Sequence, residues 1–218
     1  MRKQPLKSYE YIEKLLGDEA DLMRRARQHS ESIGLEAISI SATEARLIAF
    51  QLKLIGAKKV VEIGTLTGLS ALYILEALPS DGYLWTLEKS PDHQKLAENV
   101  LADAIKARRC EIILGDAQEK LPSLNSQGPF DAVFIDGNKA AYLDYFDWAS
   151  SNVKVGGLIV VDNVFLSGAV WGGETQQKFN SKQISQVQAM NQKAFSDAGF
   201  HSVIIPTEEG LLVCKKQF

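Results

Sequence analysis

The sequence predicts a doubly wound α/β fold whose mostly parallel, seven-stranded sheet is closed by a C-terminal antiparallel hairpin. Short apolar segments typical of buried strands alternate with helix-length amphipathic segments over most of the 218 residues. The first strand-like segment, Lys59–Ile63, runs into a glycine turn and restarts as a helix, which is the first half of a βαβ unit. The last two, near 200–206 and 210–215, lie too close together for a helical crossover and therefore predict a hairpin.

Composition excludes several classes of protein. Hydrophobic residues make up 45% and charged residues 23% of the chain, which is an ordinary globular balance. The net charge is -3 with no basic block, so non-specific nucleic-acid binding is not expected. No apolar run reaches the ~18 residues of a membrane-spanning helix. Residues 1–5 are basic but no apolar segment follows them, so no signal peptide is predicted.

The cysteines and histidines give no sign of a metal site. Cys110 and Cys214 each lie in a strand-like segment and are interpreted as buried thiols, which favours a reducing, cytoplasmic location. His29, His93 and His201 are scattered without ligand spacing. Surface or packing roles are expected for all three, and a zinc site is not.

The N-terminal segment is predicted to be an appendage of a single domain that spans residues 1–218. Residues 8–32 carry apolar side chains at helical steps among many charges, which predicts one or two amphipathic helices with a break near Gly17. This segment covers a substrate pocket, contacts a partner subunit, or packs on the domain as a solvated helix. Thr43 is predicted to cap the next helix, which ends near Gly56.

The turn after the first strand favours a positively charged ligand. The spacing Gly64-x-x-x-Gly68 differs from the G-x-G-x-x-G pattern of dinucleotide sites. Glu62, two residues before the first glycine, would repel a pyrophosphate but suit a cation. S-adenosylmethionine has a sulfonium and an ammonium group and no phosphate. The alternative is a strand–helix turn that needs glycine only for packing.

Two acidic residues follow the next two strands. Glu88 ends the predicted strand 82–87, roughly 20 residues beyond the glycines, where an acid accepts from ribose hydroxyls. The alternative is an acid at the start of the helix that Pro91 opens. Asp116 follows the strand Cys110–Leu114, where it would bind an adenine amino group or cap the short helix after it. Both interpretations stay open.

The fourth and fifth strands predict a cation site. They span Phe130–Ile135 and 157–161, and they are followed by Asp136 and by Asp162 with Asn163. Open α/β sheets bind ligands at this carboxyl edge. If the two strands are neighbours, two carboxylates and an amide oxygen converge in a hard site suited to Mg²⁺ or Ca²⁺. The alternative is that the Asp-Asn pair forms a turn and Asp136 caps a helix.

Lys139 lies three residues after Asp136, in the first turn of the next predicted helix. Close to a divalent cation and a sulfonium, its neutral form would be favoured, so it could act as a base. The alternative is an ordinary surface lysine.

Three motifs occur in order along the chain: Val61-Glu62-Ile63-Gly64-Thr65-x-Thr67-Gly68-x-Ser70, Phe134-Ile135-Asp136-x-x-Lys139 and Val161-Asp162-Asn163-Val164. Together they resemble the motifs of the cation-dependent O-methyltransferases, the family of caffeoyl-coenzyme A and catechol O-methyltransferases. The likeness runs from about residue 38 to the C-terminus. A parallel sheet closed by an antiparallel hairpin is also the class I methyltransferase variant of the doubly wound fold.

The resemblance implies S-adenosylmethionine as donor, Mg²⁺ (or Ca²⁺ or Mn²⁺) as metal, a small phenolic acceptor with vicinal hydroxyls, and a homodimer. From the composition, no nucleic-acid or membrane partner is expected. It implies that Lys139 is the catalytic base and that the segment 165–174, with Trp171, borders the acceptor pocket. The donor site it implies consists of Glu62, Gly64, Ser70, Glu88, Asp116 and Ala117. The implied metal ligands are Asp136, Asp162 and Asn163.

Other functions stay open from the sequence. One is methyl transfer to a different small molecule or to RNA, and the absence of a basic run counts against RNA. Another is a nucleotide-binding module or dehydrogenase, and the glycine spacing counts against it.

Overall fold

The computed structural model describes residues 7–35, 38–175 and 178–218. The strands within these ranges are β1 Lys59–Ile63, β2 Tyr83–Glu88, β3 Cys110–Leu114, β4 Phe130–Ile135, β5 Val153–Val161, β6 Phe200–Ile205 and β7 Leu211–Lys216. The α-helices are α1 Lys7–Leu16, α2 Asp21–Ser32, α3 Ala42–Leu54, α4 Leu69–Ala77, α5 Pro91–Lys106, α6 Ala117–Lys120, α7 Tyr142–Asn152 and α8 Ser181–Ser196. Short 3₁₀ segments lie at Leu121–Gln127, Lys139–Ala141 and Leu166–Trp171.

The predicted fold class is confirmed. The strand order is β3-β2-β1-β4-β5-β7-β6, and only the pairings that involve β7 are antiparallel among the described strands. Ile63 at the end of β1 is in register with Leu87 of β2 and Ile135 of β4, and Ile135 is in register with Val161 of β5. The residues that follow these strands therefore share one edge of the sheet.

Two apolar layers cover the sheet. Successive strand residues point to opposite faces, so Val60 packs in one layer and Val61 in the other. Helices α2 to α5 cover the first face, and α6 to α8 cover the second. Both Val residues are fully buried, as central parallel strands require. Burying each such side chain stabilises the fold by about 1.5–3 kcal/mol. This burial holds the central strands, and therefore their carboxyl ends, in place.

The predicted cap of α3 and the predicted start of β5 are wrong. Ser41, not Thr43, caps α3, because Ser41 and Glu44 form a reciprocal capping box. Helix α8 begins at Ser181, and Asn180 caps it. Strand β5 begins at Val153, four residues before the predicted start, because a register shift opposite β4 lets it continue through a glycine in the left-handed region.

The predicted break in the N-terminal segment is confirmed, since α1 ends at Leu16 and α2 begins at Asp21. Helix α2 buries Met23, Ala26 and Ser30 against the domain. No helix among the described residues is long and apolar enough to cross a membrane.

Candidate functional site

A cavity of about 490 Å³ opens at the carboxyl edge of the sheet, and residues that follow all five parallel strands line it. It therefore brings most of the sequence-predicted site residues together. Those that line it are Gly64, Ser70, Glu88, Asp116, Ala117, Asp136, Lys139 and Asn163. Two predicted residues, Glu62 and Asp162, are fully buried and lie behind the described cavity wall.

The turn between β1 and α4 needs its glycines for packing. Gly64 has φ +104, and a Cβ there would lie 2.2 Å from the backbone oxygen of Asp136. Gly68 has φ +88, and a Cβ there would lie 3.0 Å from Val100. The packing explanation is therefore right, and it does not compete with a binding role. The bare backbone also leaves the N-terminus of α4 open toward the cavity.

Glu62 lies beneath this turn. Thr86 Oγ1 donates a 2.5 Å hydrogen bond to Glu62 Oε2, and Ser70 also bonds to this carboxylate. Burial raises the pKa of Glu62 to about 7; the hydrogen bonds from Ser70 and Thr86 oppose that rise, and Asp136 and Glu88 add to it. Since Ser70 lines the cavity, Glu62 reaches the cavity through the Ser70 hydroxyl.

Glu88 holds the same turn from the other side. Its Oε2 accepts from Leu66 N and its Oε1 from Ser90 N, both at 2.8 Å. His93 Nδ1 lies 3.4 Å from Oε1. An ionised carboxylate has about four acceptor positions, so capacity remains for ribose hydroxyls. Glu88 can therefore accept a hydrogen bond at the start of the next helix and still bind a ribose.

Asp116 is a helix cap, as one of its two predicted roles required. Its Oδ1 accepts from Gln118 N at 3.0 Å, and its Oδ2 pairs with Lys89 Nζ at 2.8 Å. The Lys89 hydrogen bond, aided by the one from Gln118, lowers the pKa of Asp116. The carboxylate still lines the cavity beside Ala117, so contact with an adenine stays a prediction.

Asp136 and Asp162 lie side by side at adjacent strand ends. Asp136 N donates to Ile63 O at 2.9 Å, and Asp162 N donates to Ile135 O at 3.0 Å. Asp162 Oδ1 accepts from Asn163 N at 2.7 Å, and Asn163 adopts φ +60. The predicted neighbourhood of the two strand ends is confirmed.

This donor set fits a hard divalent cation. It offers carboxylate and amide oxygens from two neighbouring strand ends, two of the three residues at the cavity surface. No group of three His, Cys, Asp or Glu side chains that could hold a metal occurs in the described part of the chain. A cation here would therefore depend on the Asn163 amide and on non-protein oxygens as well, which suits Mg²⁺ better than Zn²⁺.

Lys139 is not an ordinary surface lysine. Its Nζ lies 2.7 Å from Asp136 Oδ1 and 5.0 Å from the centre of the Tyr142 ring. Burial, aided by the charges of two aspartates, raises the pKa of the Tyr142 hydroxyl, so this ring stays neutral. Asn138, rather than Asp136, caps the turn that begins at Lys139, through a bond to Ala140 N. The cap alternative for Asp136 is therefore wrong.

Helix α2 packs on the domain behind the cavity wall, but none of its residues lines the described cavity, so a role in covering a substrate pocket stays a prediction. Ser30 Oγ lies 2.8 Å from Thr67 Oγ1 of the glycine turn and accepts from Ser39 Oγ at 2.9 Å. Arg27 donates to the backbone oxygen of Ile40 at 3.1 Å. Thr67, Ser39 and Ile40 all line the cavity.

His93 and Glu209 are among the cavity residues that the sequence analysis did not single out, whereas Leu166 lies in the segment 165–174 that was expected at the pocket. His93 follows Glu88 in the first turn of α5, so its spacing carried a usable signal. Glu209 lies in the β6–β7 turn, where nothing local indicated a site. Trp171, expected at the pocket, is 65% exposed, packs on Phe165 with ring centres 5.3 Å apart, and does not line the described cavity.

Comparison with known proteins identifies the family. The sequence model of the family described as O-methyltransferase matches residues 13–217. Catechol O-methyltransferase of Niastella koreensis is 38% identical over 162 residues, which cover 73% of each chain. Catechol O-methyltransferase of Mycobacterium tuberculosis is 36% identical over 156 residues, covering 72% of this chain and 70% of the relative.

A solved structure supports the same family assignment. The O-methyltransferase TomG from Streptomyces achromogenes, involved in tomaymycin synthesis and solved with S-adenosylmethionine, aligns with a TM-score of 0.86 and 28% identity. The alignment covers 97% of this chain and 96% of TomG. The resemblance to the cation-dependent O-methyltransferases is thus confirmed, and the dehydrogenase alternative is excluded. The chain belongs to the O-methyltransferase family and is an S-adenosylmethionine-dependent O-methyltransferase with the class I methyltransferase fold.

Proposed function

We propose that this enzyme methylates one hydroxyl of a catechol-like small molecule and that a divalent cation assists it. The observation that carries the proposal is the meeting of Asp136, Asn163 and Lys139 at one cavity, with Asp162 directly behind. The names of the two catechol O-methyltransferases support the choice of acceptor.

The donor side would bind S-adenosylmethionine, which supplies the methyl group. Gly64 lines the cavity and would contact the donor, and Glu88 would accept from the ribose hydroxyls with its remaining lone pairs. Asp116 and Ala117 would contact the adenine. Glu62 would act on the methionine end through Ser70, which it holds by a hydrogen bond.

The acceptor side would use the chain's own oxygen donors. Asp136, Asp162 and Asn163 would hold Mg²⁺, or Ca²⁺ or Mn²⁺ in its place. A bound divalent cation supplies positive charge that lowers the pKa of neighbouring hydroxyls. Lys139, which is 18% exposed and beside Asp136, would accept the proton of the reacting hydroxyl. The cavity walls restrict the acceptor's orientation, and this positioning contributes a large part of the rate.

The test is methylation of catechol by metal-stripped enzyme with and without added Mg²⁺. We expect turnover to require Mg²⁺ and to stop when EDTA is added. In Asp162→Ala, Mg²⁺-dependent turnover should be lost while S-adenosylhomocysteine binding, measured by calorimetry, stays near that of the wild type. Full turnover in EDTA would contradict the metal role, and failure with a panel of catechols would contradict the acceptor class.

We propose further that Lys139 acts on the proton rather than on binding. Replacing it with Met should lower kcat by about 10²–10⁴-fold and leave donor affinity unchanged. Lys95→Met is a suitable control, since Lys95 pairs only with exposed Asp92 among the described residues. Equal kcat values in the two variants would contradict the role.

We also propose a cytoplasmic homodimer. Helices α1 and α3 pack side by side and expose Tyr11, Leu15, Phe50 and Leu54, an apolar set that a second copy could cover. Cys110 and Cys214 are buried free thiols, which suits a reducing compartment. Light scattering of the wild type and Phe50→Lys tests the dimer: a monomeric wild type, or a variant that stays dimeric, would contradict this interface.

A further inference from the structure

We propose that Glu209 is a positioning residue for acceptor binding. Its carboxylate holds the segment after β5 in a left-handed backbone conformation that forms one wall of the cavity. This inference rests on the proposed function, since it assigns that wall to the acceptor.

The segment after β5 adopts an unusual conformation. Asn163, Leu166 and Ser167 have φ values of +60, +46 and +53, and none of them is glycine. Residues with a Cβ adopt this region only when their surroundings compensate the strain. Three such residues within five positions therefore require restraints from elsewhere in the fold.

The turn between β6 and β7 supplies these restraints. Glu209 Oε2 accepts from Ser167 N, and Glu209 Oε1 accepts from Ser167 Oγ, both at 2.8 Å. The backbone adds two further bonds, from Phe165 N to Glu209 O at 2.9 Å and from Val164 N to Gly210 O at 3.2 Å. The carboxylate group thus fixes the backbone and the side chain of the same strained residue.

The contact between turn and segment is tight. Gly210 lies against Phe165, so that a Cβ at position 210 would be 2.7 Å from the Phe165 ring. Glu209 is 9% exposed and lines the same cavity as Leu166 and Asn163. The segment therefore cannot shift without moving both the Leu166 wall and the Asn163 amide.

Helix α8 holds other parts of the segment but not Ser167. Asn191 Nδ2 donates to Val164 O at 3.0 Å, and Gln188 Nε2 donates to Val170 O at 2.7 Å. Without the Glu209 carboxylate, Val164 and Val170 would still be held by α8, but Ser167 between them would lose its side-chain restraints. The expected defect is therefore local to the acceptor wall.

A pair of Glu209 variants tests the proposal. Glu209→Leu removes both hydrogen bonds and should raise the KM for catechol by about tenfold or more, the value of a lost charge-assisted bond. The KM for S-adenosylmethionine should stay unchanged. Glu209→Gln keeps an acceptor for Ser167 N and a group that can bond Ser167 Oγ, so its KM for catechol should stay within about threefold of the wild type.

Equal increases in the KM for catechol in Glu209→Gln and Glu209→Leu would overturn the proposal, because they would mean that the charge of the carboxylate itself acts on the ligand. Equal rises in both KM values would also overturn it, because they would indicate general destabilisation. A Glu209→Leu variant with wild-type constants would do the same.

A second readout does not need turnover. Trp171 packs on Phe165 in the same segment, so the segment's release should shift the emission of Trp171 in Glu209→Leu but not in Glu209→Gln. The same pair in a Trp171→Phe background is the control and should show no shift. If wild-type enzyme fails to methylate catechols, the proposed function fails, and the emission of these variants still decides whether Glu209 holds the segment; an unchanged emission overturns the proposal.

Discussion

Two segments with left-handed backbone line the cavity, and they obtain that conformation in different ways. The turn after β1 places glycines at two of its positive-φ positions, Gly64 and Gly68. The segment after β5 places Leu166 and Ser167 in such positions and relies on Glu209, 42 residues away, to hold them. The turn after β1, on the proposed donor side, is therefore stabilised mainly by its own residue types, and the segment after β5, on the proposed acceptor side, by a distant contact.

Because of this difference, the two segments should respond differently to substitutions elsewhere in the chain. A turn whose conformation depends on glycine changes shape only when its own residues change. A segment held by a remote carboxylate can be reshaped by substitutions in the β6–β7 turn without touching the donor site. We expect the acceptor wall to tolerate variation that the donor turn does not.

The largest effect is expected at the donor turn. In Gly64→Ala, the new Cβ would meet the Asp136 backbone oxygen at 2.2 Å in a left-handed conformation, so the free energy of unfolding should fall by about 4 kcal/mol. Gly56→Ala is the matched control, because Gly56 also has positive φ but no atom within 4 Å of the added Cβ, and it should lose only about 1 kcal/mol. Urea unfolding measures both, and equal losses would show that the close approach to Asp136 is unimportant.

The next effect concerns Glu62 and depends on pH. Its folded pKa of about 7 lies above the ordinary value of 4.5, so the stability linked to its protonated form is complete below pH 4.5 and is lost as the pH rises to 7. Ligand-free Glu62→Gln should therefore gain up to about 3 kcal/mol over the wild type at pH 8.

At pH 4.5 the two proteins should be nearly equal in stability. Urea unfolding at the two pH values checks this. A difference that does not change with pH would contradict the assignment and would imply that the Glu62 carboxylate is not the titrating group.

A smaller effect is expected at Glu88. Glu88→Ala removes acceptors from Leu66 N and Ser90 N and from the proposed ribose contact, so S-adenosylhomocysteine affinity should fall by about 2 kcal/mol, roughly 30-fold. Calorimetry measures it. Asp92→Ala, an exposed acid in the same region, serves as control, and a similar loss there would point to a general charge effect.

The smallest effect is expected where α2 meets the donor turn. Ser30→Ala removes a buried hydroxyl beside Thr67 and Ser39, so the free energy of unfolding should fall by about 1 kcal/mol. Ser32→Ala, an exposed serine in the same helix, should change it by less than about 0.5 kcal/mol. Thermal unfolding compares them, and equal stabilities would contradict the buried network.

These contrasts explain what could be predicted from the sequence. Strand ends follow from local apolar runs, so the positions of Glu88, Asp136 and Asp162 at one sheet edge were predicted correctly. The cap of α3 was predicted at Thr43 instead of Ser41, because several residues near a helix start can serve as caps and only the final geometry selects one.

Glu209 and Ser30 could not be predicted, for a different physical reason. Their partners Ser167 and Thr67 lie 42 and 37 residues away in the sequence, and their contacts exist only once separate elements have packed. No local pattern of polarity or spacing encodes such a pairing.

The hydrogen bonds between α2 and the cavity wall have a consequence for engineered variants of this enzyme. Arg27 and Ser30 form hydrogen bonds with residues 40 and 39, which line the cavity. A chimaera that takes its first 35 residues from a relative would thus also take over that relative's support for this part of the cavity wall. A version trimmed to begin at α3 would lack residues 39 and 40 of the cavity wall as well as the helix that supports them.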